Sequence, residues 1–391
     1  MKKNIVIYLM FISLTLNAQT DSVNILSEIY VNASITKPND PISQTKIDMK
    51  LFKSIYQGQD LPVIMNFSNS SITFYSDGGN YSGYMYYRIR GGDQTKINVT
   101  LNGAPLNEPS DQGAYFSNYQ DFFSNISSIQ IQKGVGTTSP NGSAQFLGSM
   151  NLQSPSLLDS GYTQLDFSRG SFRTNRYSIA VNTGLKNGWG TYIRYSNVSS
   201  DSYRHNSETL GNTIFLSTGF TNNKHIFKYT AFYGTSANSM AWLPSNIDSI
   251  KKDRQNNPLN TNERDYFTQN MNILSYSYFF NKHLSSNTIL FYNYLKGNYG
   301  WNYNDTNYTP SGIYDYKLLS HYYGISTNFN YIKNKYDNSF GIALSSYNRE
   351  HTMGQLPYDD ILIHDNIEYK NQYSIFYKLS YSISEKLSIY T

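Results

Sequence analysis

The sequence YSIFYKLSYSI, residues 373–383, alternates large apolar or aromatic side chains with mostly polar ones. Successive side chains of an extended strand point to opposite faces, so a period of two indicates a β-strand with one apolar face and one polar face. The sequence YGISTNFNY, residues 323–331, repeats the pattern, and weaker examples follow one another from about Tyr162 onward. The C-terminal part of the chain is therefore predicted to form consecutive strands.

The connections between these strands alternate in length. Asn187-Gly188 is a strong signal for a tight hairpin. Alternating short and long connections are typical of an antiparallel transmembrane β-barrel with tight periplasmic turns and long external loops. A soluble β-sandwich is the alternative, but it does not need loops sorted by length. The predicted short turns lie at residues 186–188, 221–224, 281–283, 334–337 and 385–386, and the predicted long polar connections at 197–211, 235–267, 297–318 and 349–370.

Composition agrees with a mainly β membrane protein. The 391 residues include 38 Tyr and 21 Phe, yet the mean hydropathy is only −0.52, as expected when lipid-facing and lumen-facing residues alternate. The net charge of +4 is dispersed, and no basic run exceeds Lys251-Lys252, so a nucleic-acid partner is not predicted. The absence of Cys excludes disulfides, thiol catalysis and Cys-based metal sites.

The N-terminus has the pattern of a secretory signal. Lys2 and Lys3 precede an apolar run from Ile5 to Leu16, and Ala18 precedes Gln19. The run is shorter than the roughly 20 residues that a membrane-spanning helix needs. Residues 1–18 are therefore predicted to be a cleaved signal peptide. No later segment approaches the length of a spanning helix, so a membrane-embedded mature chain would have to use β-structure.

The region before the first strand is rich in Gly, Asn and Ser, and two of its stretches carry a resemblance. Residues 87–109 read YRIRGGDQTKINVTLNGAPLNEP, and residues 125–152 read NISSIQIQKGVGTTSPNGSAQFLGSMNL. Together they resemble the plug domain of TonB-dependent receptors. This resemblance implies a small mixed α/β plug inside a barrel of about 22 strands. About ten or eleven strands are predicted here, so the chain is expected to be the N-terminal part of such a receptor.

At four positions of the plug motifs the sequence differs from the family. Asn102, Gln130, Val135 and Ser149 stand where the family has Asp, Glu, Pro and Gly, and each is compatible with a turn or strand. The resemblance also implies that Arg90 and Lys133 pair with barrel carboxylates of later strands and hold the plug in the lumen; solvated side chains without such partners are the alternative. The matching plug-motif residues are Gly91, Asn102, Gly103, Pro105, Gly134, Gly142, Gly148 and Asn151.

The resemblance also implies domain limits for the chain after the signal peptide. Residues 19–45 are expected to be a flexible leader, 46–158 the plug, and 159–391 the N-terminal part of the barrel. Within the leader, ILSEIYVNA at residues 25–33 resembles the energy-coupling TonB box, and it could add as an edge strand to a periplasmic TonB-type protein. An ordinary first strand of the plug is the alternative. The candidate box residues are Glu28, Ile29, Tyr30 and Val31.

Three barrel stretches resemble iron-siderophore receptors of this family: residues 200–208, 321–326 and 347–354. The expected function is uptake of a small chelate, such as a ferric siderophore, across the bacterial outer membrane. Uptake of cobalamin, peptide or glycan, and a non-transporting adhesion barrel, are the alternatives; the plug motifs argue against a passive porin. Candidate ligand contacts, which could equally be membrane-interface anchors, are Tyr81, Tyr84, Tyr115, Trp242 and Trp301.

No enzyme is predicted. The sequence has no HExxH, GxSxG or phosphate-binding loop motif, and its histidines show no spacing of metal ligands. Neither a cofactor nor a bound metal is therefore expected. The six histidines are His205, His225, His283, His321, His351 and His364.

Overall fold

The computed structural model describes residues 40–134, 146–259, 262–302, 312–356, 358–384 and 387–390. The predicted signal peptide, the candidate TonB box with Glu28, Ile29, Tyr30 and Val31, and the motif residues Val135 and Gly142 lie outside these ranges.

The N-terminal region, residues 40–157, contains two small sheets and one helix. The first sheet has the strand order β1-β7-β8-β5-β6, and the second has the order β2-β3-β4. Strands β5 and β8 run parallel while the other pairs are antiparallel, so the predicted mixed α/β unit is confirmed. Its elements are β1 (Gln44–Asp48), α1 (Leu61–Ser68), β2 (Ile72–Ser76), β3 (Met85–Ile89), β4 (Gly92–Asp93), β5 (Ile97–Leu101), β6 (Ala104–Pro105), β7 (Ser128–Lys133) and β8 (Gly148–Gln153).

The core of this region includes buried side chains of both small sheets and of α1, which packs against β2 and β3. Every residue of β5 is buried, including the polar Asn98 and Thr100, as expected of a strand inside the domain. Pro62 stands near the start of α1, where a missing N–H costs nothing, and the helix buries its residues from Leu61 to Met65. Strand β1 includes Gln44 and Thr45, which the sequence analysis assigned to the leader.

The C-terminal region is one antiparallel sheet, the large sheet, in which each of eleven described strands pairs with the next along the chain. The last strand is only four residues long. The prediction of about ten strands and the start of another is therefore confirmed. The strands are β9 (Tyr162–Arg169), β10 (Asn175–Asn182), β11 (Trp189–Ser200), β12 (Thr209–Thr221), β13 (His225–Ser239), β14 (Arg264–Phe279), β15 (Leu284–Asn302), β16 (Ile313–Lys333), β17 (Tyr336–Gln355), β18 (Tyr358–Ser384) and β19 (Leu387–Tyr390).

The two faces of the large sheet have opposite character. In β10, Arg176 and Ser178 are buried on the face toward the N-terminal region, while Tyr177 and Ile179 are 46% and 45% exposed on the other face. The covered face is thus largely polar and the exposed face largely apolar. This arrangement is the reverse of a soluble sheet and is typical of strands that meet lipid. No described helix is both long enough and apolar enough to cross a membrane.

The long connections differ from their prediction. Residues 349–370 were expected to form a polar loop, but β17 continues to Gln355 and β18 begins at Tyr358. Strand β18 has 27 residues, far more than the roughly 10 that a tilted strand needs to span a bilayer. Where a hairpin extends beyond the length needed to span the bilayer, both of its faces are polar or exposed. The sequence there no longer alternates between apolar and polar residues, although the backbone pairing continues. By contrast, the described residues of the connection between β13 and β14, 240–259 and 262–263, contain the short helix α2 (Ile247–Lys252) and no strand.

Candidate functional site: the interface between the two regions and its cavity

A buried carboxylate of the N-terminal region lies at the centre of its contact with β10 and β11. Asp121 is fully buried and adopts a left-handed backbone conformation, φ 60°, between two 3-10 turns, Phe116–Tyr119 and Phe122–Asn125. The Nε of Arg176 donates to both carboxylate oxygens at 3.0 Å. The Nη2 of Arg194 forms a second ion pair with the same carboxylate, and its Nη1 donates to the Asp121 carbonyl at 3.1 Å.

Tyr56 completes this group, which we call the Asp121 cluster: Tyr56, Asp121, Arg176 and Arg194. Its hydroxyl donates to the Asp121 carboxylate, and the Arg176 guanidinium lies 4.9 Å from its ring centroid. Burial raises the pKa of Tyr56 well above its usual value, so the hydroxyl keeps its proton. Removing one partner of a fully buried ion pair typically costs about 3–5 kcal/mol because the remaining charge is uncompensated.

The residues around Asp121 form a continuous contact with the large sheet, which we call the docking segment, residues 116–125. The ring of Tyr119 lies 4.5 Å from that of Phe232, and Phe122 lies 5.3 Å from the same ring. Gln120 Nε2 donates to Thr209 Oγ1 at 2.6 Å. The docking segment therefore combines aromatic packing, neutral hydrogen bonds and a buried ion pair.

A second carboxylate contact lies on β16 and β17. Glu108 is buried and accepts hydrogen bonds from Ser320 Oγ at 3.1 Å and from the Tyr347 hydroxyl at 2.7 Å. The Nη1 of Arg349 lies 3.9 Å from Glu108 and 3.9 Å from Asp111. We call these five residues the Glu108 cluster. The 3.9 Å distances exceed hydrogen-bond length, so this ion pair is looser than that of Asp121.

The Glu108 cluster also contains a buried donor without a hydrogen bond. The Arg349 side chain is only 7% exposed, and its Nε has no hydrogen-bond partner among the residues that the structure describes. Burial raises the pKa of Glu108, although Arg349 and the Tyr347 hydroxyl act in the opposite direction. Burial also raises the pKa of Asp111. The ionised carboxylates are thus less well stabilised here than in water.

A cavity of about 240 Å³ opens beside the Glu108 cluster. Asp77, Glu108, Asp111 and Arg349 line it. Met240 and Ala241, from the connection between β13 and β14, also border it. The aromatic side chains that line it are Tyr84, Tyr86, Tyr115, Trp242, Phe267 and Tyr299.

Arg204 connects the 240–263 segment to the N-terminal region at this cavity. Its guanidinium donates to the carbonyl oxygens of Ala241, of Leu243 at 3.0 Å and of Asp77 at 3.3 Å. Burial raises the pKa of Asp77 to about 6, against the hydrogen bond from Tyr86 and the charge of Arg204. One guanidinium therefore holds the segment that carries Trp242 close to a carboxyl group of the cavity.

The N-terminal region matches a known family model. Residues 37–148 match the TonB-dependent Receptor Plug Domain. The chain carries a TonB-dependent receptor plug domain. The N-terminal region is therefore the plug, and the resemblance expected from the motifs of residues 87–152 is confirmed.

Solved structures share the arrangement of plug and large sheet. The unliganded ferric citrate transporter FecA has a TM-score of 0.63 at 14% identity, over 89% of this chain and 61% of its own. The copper transporter OprC has a TM-score of 0.69 at 13% identity, over 91% and 54%. The ferripyoverdine receptor of Pseudomonas aeruginosa has a TM-score of 0.72 at 11% identity, over 91% and 52%. The chain thus spans about half to three fifths of the length of these structures. No curated protein sequence matches the chain.

Four of the five candidate ligand residues lie together. Tyr84, Tyr115 and Trp242 line the cavity, and the ring of Trp301 lies 5.2 Å from that of Trp242. Tyr81 lies apart, at a second cavity of about 570 Å³. A ligand role for these residues stays a prediction.

The predicted contacts Arg90 and Lys133 do not form ion pairs with other described residues. Arg90 is exposed, with φ 51°, and its backbone N–H donates to the Ser71 carbonyl at 2.8 Å. Lys133 is half-buried at the end of β7, where its N–H donates to the Ser43 carbonyl. Their role toward later strands stays a prediction. The ion pairs between plug and large sheet in the described residues have the opposite arrangement from the predicted one. The plug supplies the carboxylates, and the large sheet supplies the cations.

Asp121, Glu108 and their partners were not among the residues predicted from the sequence. A third such pair joins Asp40, four residues before β1, to Lys378 Nζ of β18 at 2.7 Å. One available signal was the phase of Arg176 in its strand, two residues before Ser178 and therefore on the polar face.

Several plug-motif residues have contacts or backbone conformations that depend on their residue type. The side-chain amide nitrogen of Asn102 donates to Ser154 Oγ at 2.9 Å and to Thr230 Oγ1 of β13 at 3.0 Å. Serine and threonine hydroxyls can donate as well as accept, so the family's Asp could also make this contact. A Cβ on Gly148 would lie 2.7 Å from the Gln132 carbonyl oxygen, which explains glycine there. Gly91, Gly103 and Gly134 have positive φ, Pro105 ends β6, and Asn151 accepts a hydrogen bond from Thr100.

Proposed function

We propose that the chain is the plug and first part of the barrel of a TonB-dependent outer-membrane receptor. The receptor would bind a ferric siderophore or other iron chelate from outside and import it into the periplasm. The domain limits follow the expectation from sequence: a signal at 1–18, a leader at 19–45, the plug at 46–158 and the barrel from 159. The apolar exposed face of the large sheet would contact outer-membrane lipid.

The observation that carries this proposal is the cavity between plug and large sheet. It is lined by aromatic and charged side chains from both. Ligand sites are typically concave, with mostly apolar walls and a few placed polar groups. The similar structures also support a transport role, since they are transporters or receptors of ferric citrate, copper and ferripyoverdine.

The coupling step would use the leader. Ligand binding at the cavity would shift the plug toward a state in which residues 25–33 are available to a TonB-type protein of the periplasm. Such a shift requires that the ligand bind one state of the plug more tightly than the other. The looser Glu108 cluster, which borders the cavity, is the part of the interface that could respond to the ligand.

The test is uptake of radioactive iron by cells that express the gene carrying this sequence and lack other siderophore receptors. A panel of ferric hydroxamate, catecholate and citrate chelates would be offered. We expect uptake of at least one chelate, and loss of uptake with retained binding when residues 25–33 are deleted. Binding without uptake by the intact protein would contradict import and favour an adhesion or binding role.

A further inference from the structure

We propose that the cavity between plug and large sheet binds a cationic nitrogen group, with a neutral oxygen acceptor beside it, so that the preferred chelate carries a free amine. This inference rests on the proposed function for the identity of the ligand as a chelate. The preference for a cation follows from the cavity itself.

The charge of the cavity favours a cation. Three carboxylates line it, from Asp77, Glu108 and Asp111, and one guanidinium, from Arg349. When all are ionised the net charge of these four groups is three negative and one positive, or −2. Arg349 is shared between Glu108 and Asp111 at 3.9 Å from each, so neither pair is tight. An anionic chelate would add to this negative charge.

The aromatic residues that line the cavity also favour binding of a cation. Tyrosine and tryptophan rings attract cations through the negative potential of their faces, most strongly in sites with little water. Tyr84, Tyr86, Tyr115 and Trp242 lie around the same cavity as the three carboxylates. Carboxylates together with aromatic rings are the side chains that recognise ammonium groups.

The buried Nε of Arg349 is an independent sign that a polar ligand group belongs here. Arg349 is nine-tenths buried and lines the cavity, and this donor has no partner in the described part of the chain. A buried donor without an acceptor is costly, so such donors usually have a partner in the functional state. A hydroxamate or amide oxygen next to the amine would supply the acceptor without adding a charge.

The carboxyl groups themselves would be stabilised by the ligand. Burial raises the pKa of Asp77, Glu108 and Asp111, because their ionised forms are partly withdrawn from water. A cation in the cavity would restore part of the lost stabilisation. Arg204 contacts the backbone of Asp77 and its charge acts on the Asp77 carboxylate, but Arg204 itself does not line the cavity.

The first test uses simple probes and the purified protein that carries the full chain. Binding of benzyltrimethylammonium and of benzenesulfonate is followed by tryptophan fluorescence, since Trp242 lines the cavity and the ring of Trp301 packs against that of Trp242. We expect saturable quenching by the cation, with an affinity at least about tenfold higher than for the anion. Trp242→Phe should remove most of the signal. Equal binding of both probes, or no saturable binding of the cation, would overturn the proposal.

Two substitutions locate the site. The double variant Asp77→Asn, Asp111→Asn removes two charges of the cavity while leaving Glu108 in its contact with the large sheet. We expect it to weaken cation binding by about tenfold or more. The matched control is Asp248→Asn, which removes an exposed carboxylate of α2, and it should bind as the parent does. An equal loss in the control, or no loss in the double variant, would contradict a site at this cavity.

A second test separates this inference from the proposed function. A ferric tris-hydroxamate with a free terminal amine is compared with the same chelate after acetylation of the amine. Preferential binding and uptake of the amine form supports both ideas. Uptake of both forms at equal rates supports the receptor and overturns the cation preference. Binding of benzyltrimethylammonium without uptake of any chelate keeps the cation site and overturns the transport role.

Discussion

The Asp121 cluster and the Glu108 cluster both join a plug carboxylate to arginines of the large sheet, but they differ in tightness. Asp121 is 0% exposed, and Arg176 donates to both of its oxygens at 3.0 Å. In the Glu108 cluster the guanidinium of Arg349 is 3.9 Å from each carboxylate. The first contact is also packed among aromatic rings of the docking segment, whereas the second borders an open cavity.

This difference indicates a division of roles between the two sides of the plug. A buried, fully paired carboxylate is hard to displace because each charge would lose its partner away from water. A loose pair with an unpartnered donor beside a cavity can rearrange at lower cost. We therefore expect the Asp121 side to fix the plug and the Glu108 side to respond to the ligand.

The largest expected effect is at Asp121. The Asp121→Asn variant leaves Arg194 buried without its counter-ion and Arg176 with only Asp166, 3.5 Å away, so the free energy of unfolding should fall by about 3–5 kcal/mol. Denaturant unfolding in detergent measures this, and trypsin should cleave the plug faster. The control is Asp201→Asn, which removes the partner of the exposed Arg173 and should leave stability unchanged. Equal stability of Asp121→Asn and the parent protein would contradict a fixed contact.

A smaller effect is expected at Glu108. In Glu108→Gln the amide oxygen can still accept from Tyr347 or Ser320, and Arg349 retains Asp111, so the loss should be about 1–3 kcal/mol. The same unfolding measurement gives the ranking of the two clusters. A loss larger than that of Asp121→Asn would reverse the comparison.

The third prediction concerns the segment beside the cavity. Replacing Arg204 by Met removes the guanidinium that joins Ala241, Leu243 and Asp77. Amide hydrogen exchange in residues 240–259 should become faster while global stability changes little, because local opening is governed by local contacts. The matched control is Arg254→Met, an exposed arginine of the same segment. Similar exchange in both variants would show that Arg204 does not hold the segment.

The fourth prediction is a dependence of stability on pH. Asp77 has its pKa raised to about 6 by burial, so the folded protein binds this proton more tightly than the unfolded chain does. Its contribution to stability is therefore present at low pH and is lost as the pH rises through about 6. Thermal unfolding in detergent at several pH values should show this decline, and Asp77→Asn should flatten it. An unchanged pH profile in the variant would assign the decline to another group.

The fold was largely predictable from the sequence because two local patterns carry it. The alternation of apolar and polar residues in 373–383 indicates a strand whose two faces have different environments. The motifs of residues 87–152 indicate the plug-domain family. The upper parts of the long hairpins were not predictable in this way. In β18, Leu362 and Ile363 are neighbours and are 49% and 50% exposed, so no alternation marks the strand there.

The contacts of the plug were less predictable than its fold. The sequence around Asp121 does not reveal that Arg176 and Arg194, 55 and 73 residues later, meet its carboxylate. The aromatic candidates were easier to choose, since exposed loops and plug segments rich in Tyr and Trp suggest contacts. Their meeting at one cavity depends on the long-range pairing of plug and large sheet, which local patterns do not encode.

The most direct test of the division between the two sides is amide hydrogen exchange of the purified protein with and without saturating benzyltrimethylammonium. We expect changed exchange in residues 107–115, around Glu108 and Asp111, and unchanged exchange in the docking segment, residues 116–125. A change confined to the docking segment, or one spread equally over both, would contradict the claim that the Asp121 side is fixed and the Glu108 side responds to the ligand.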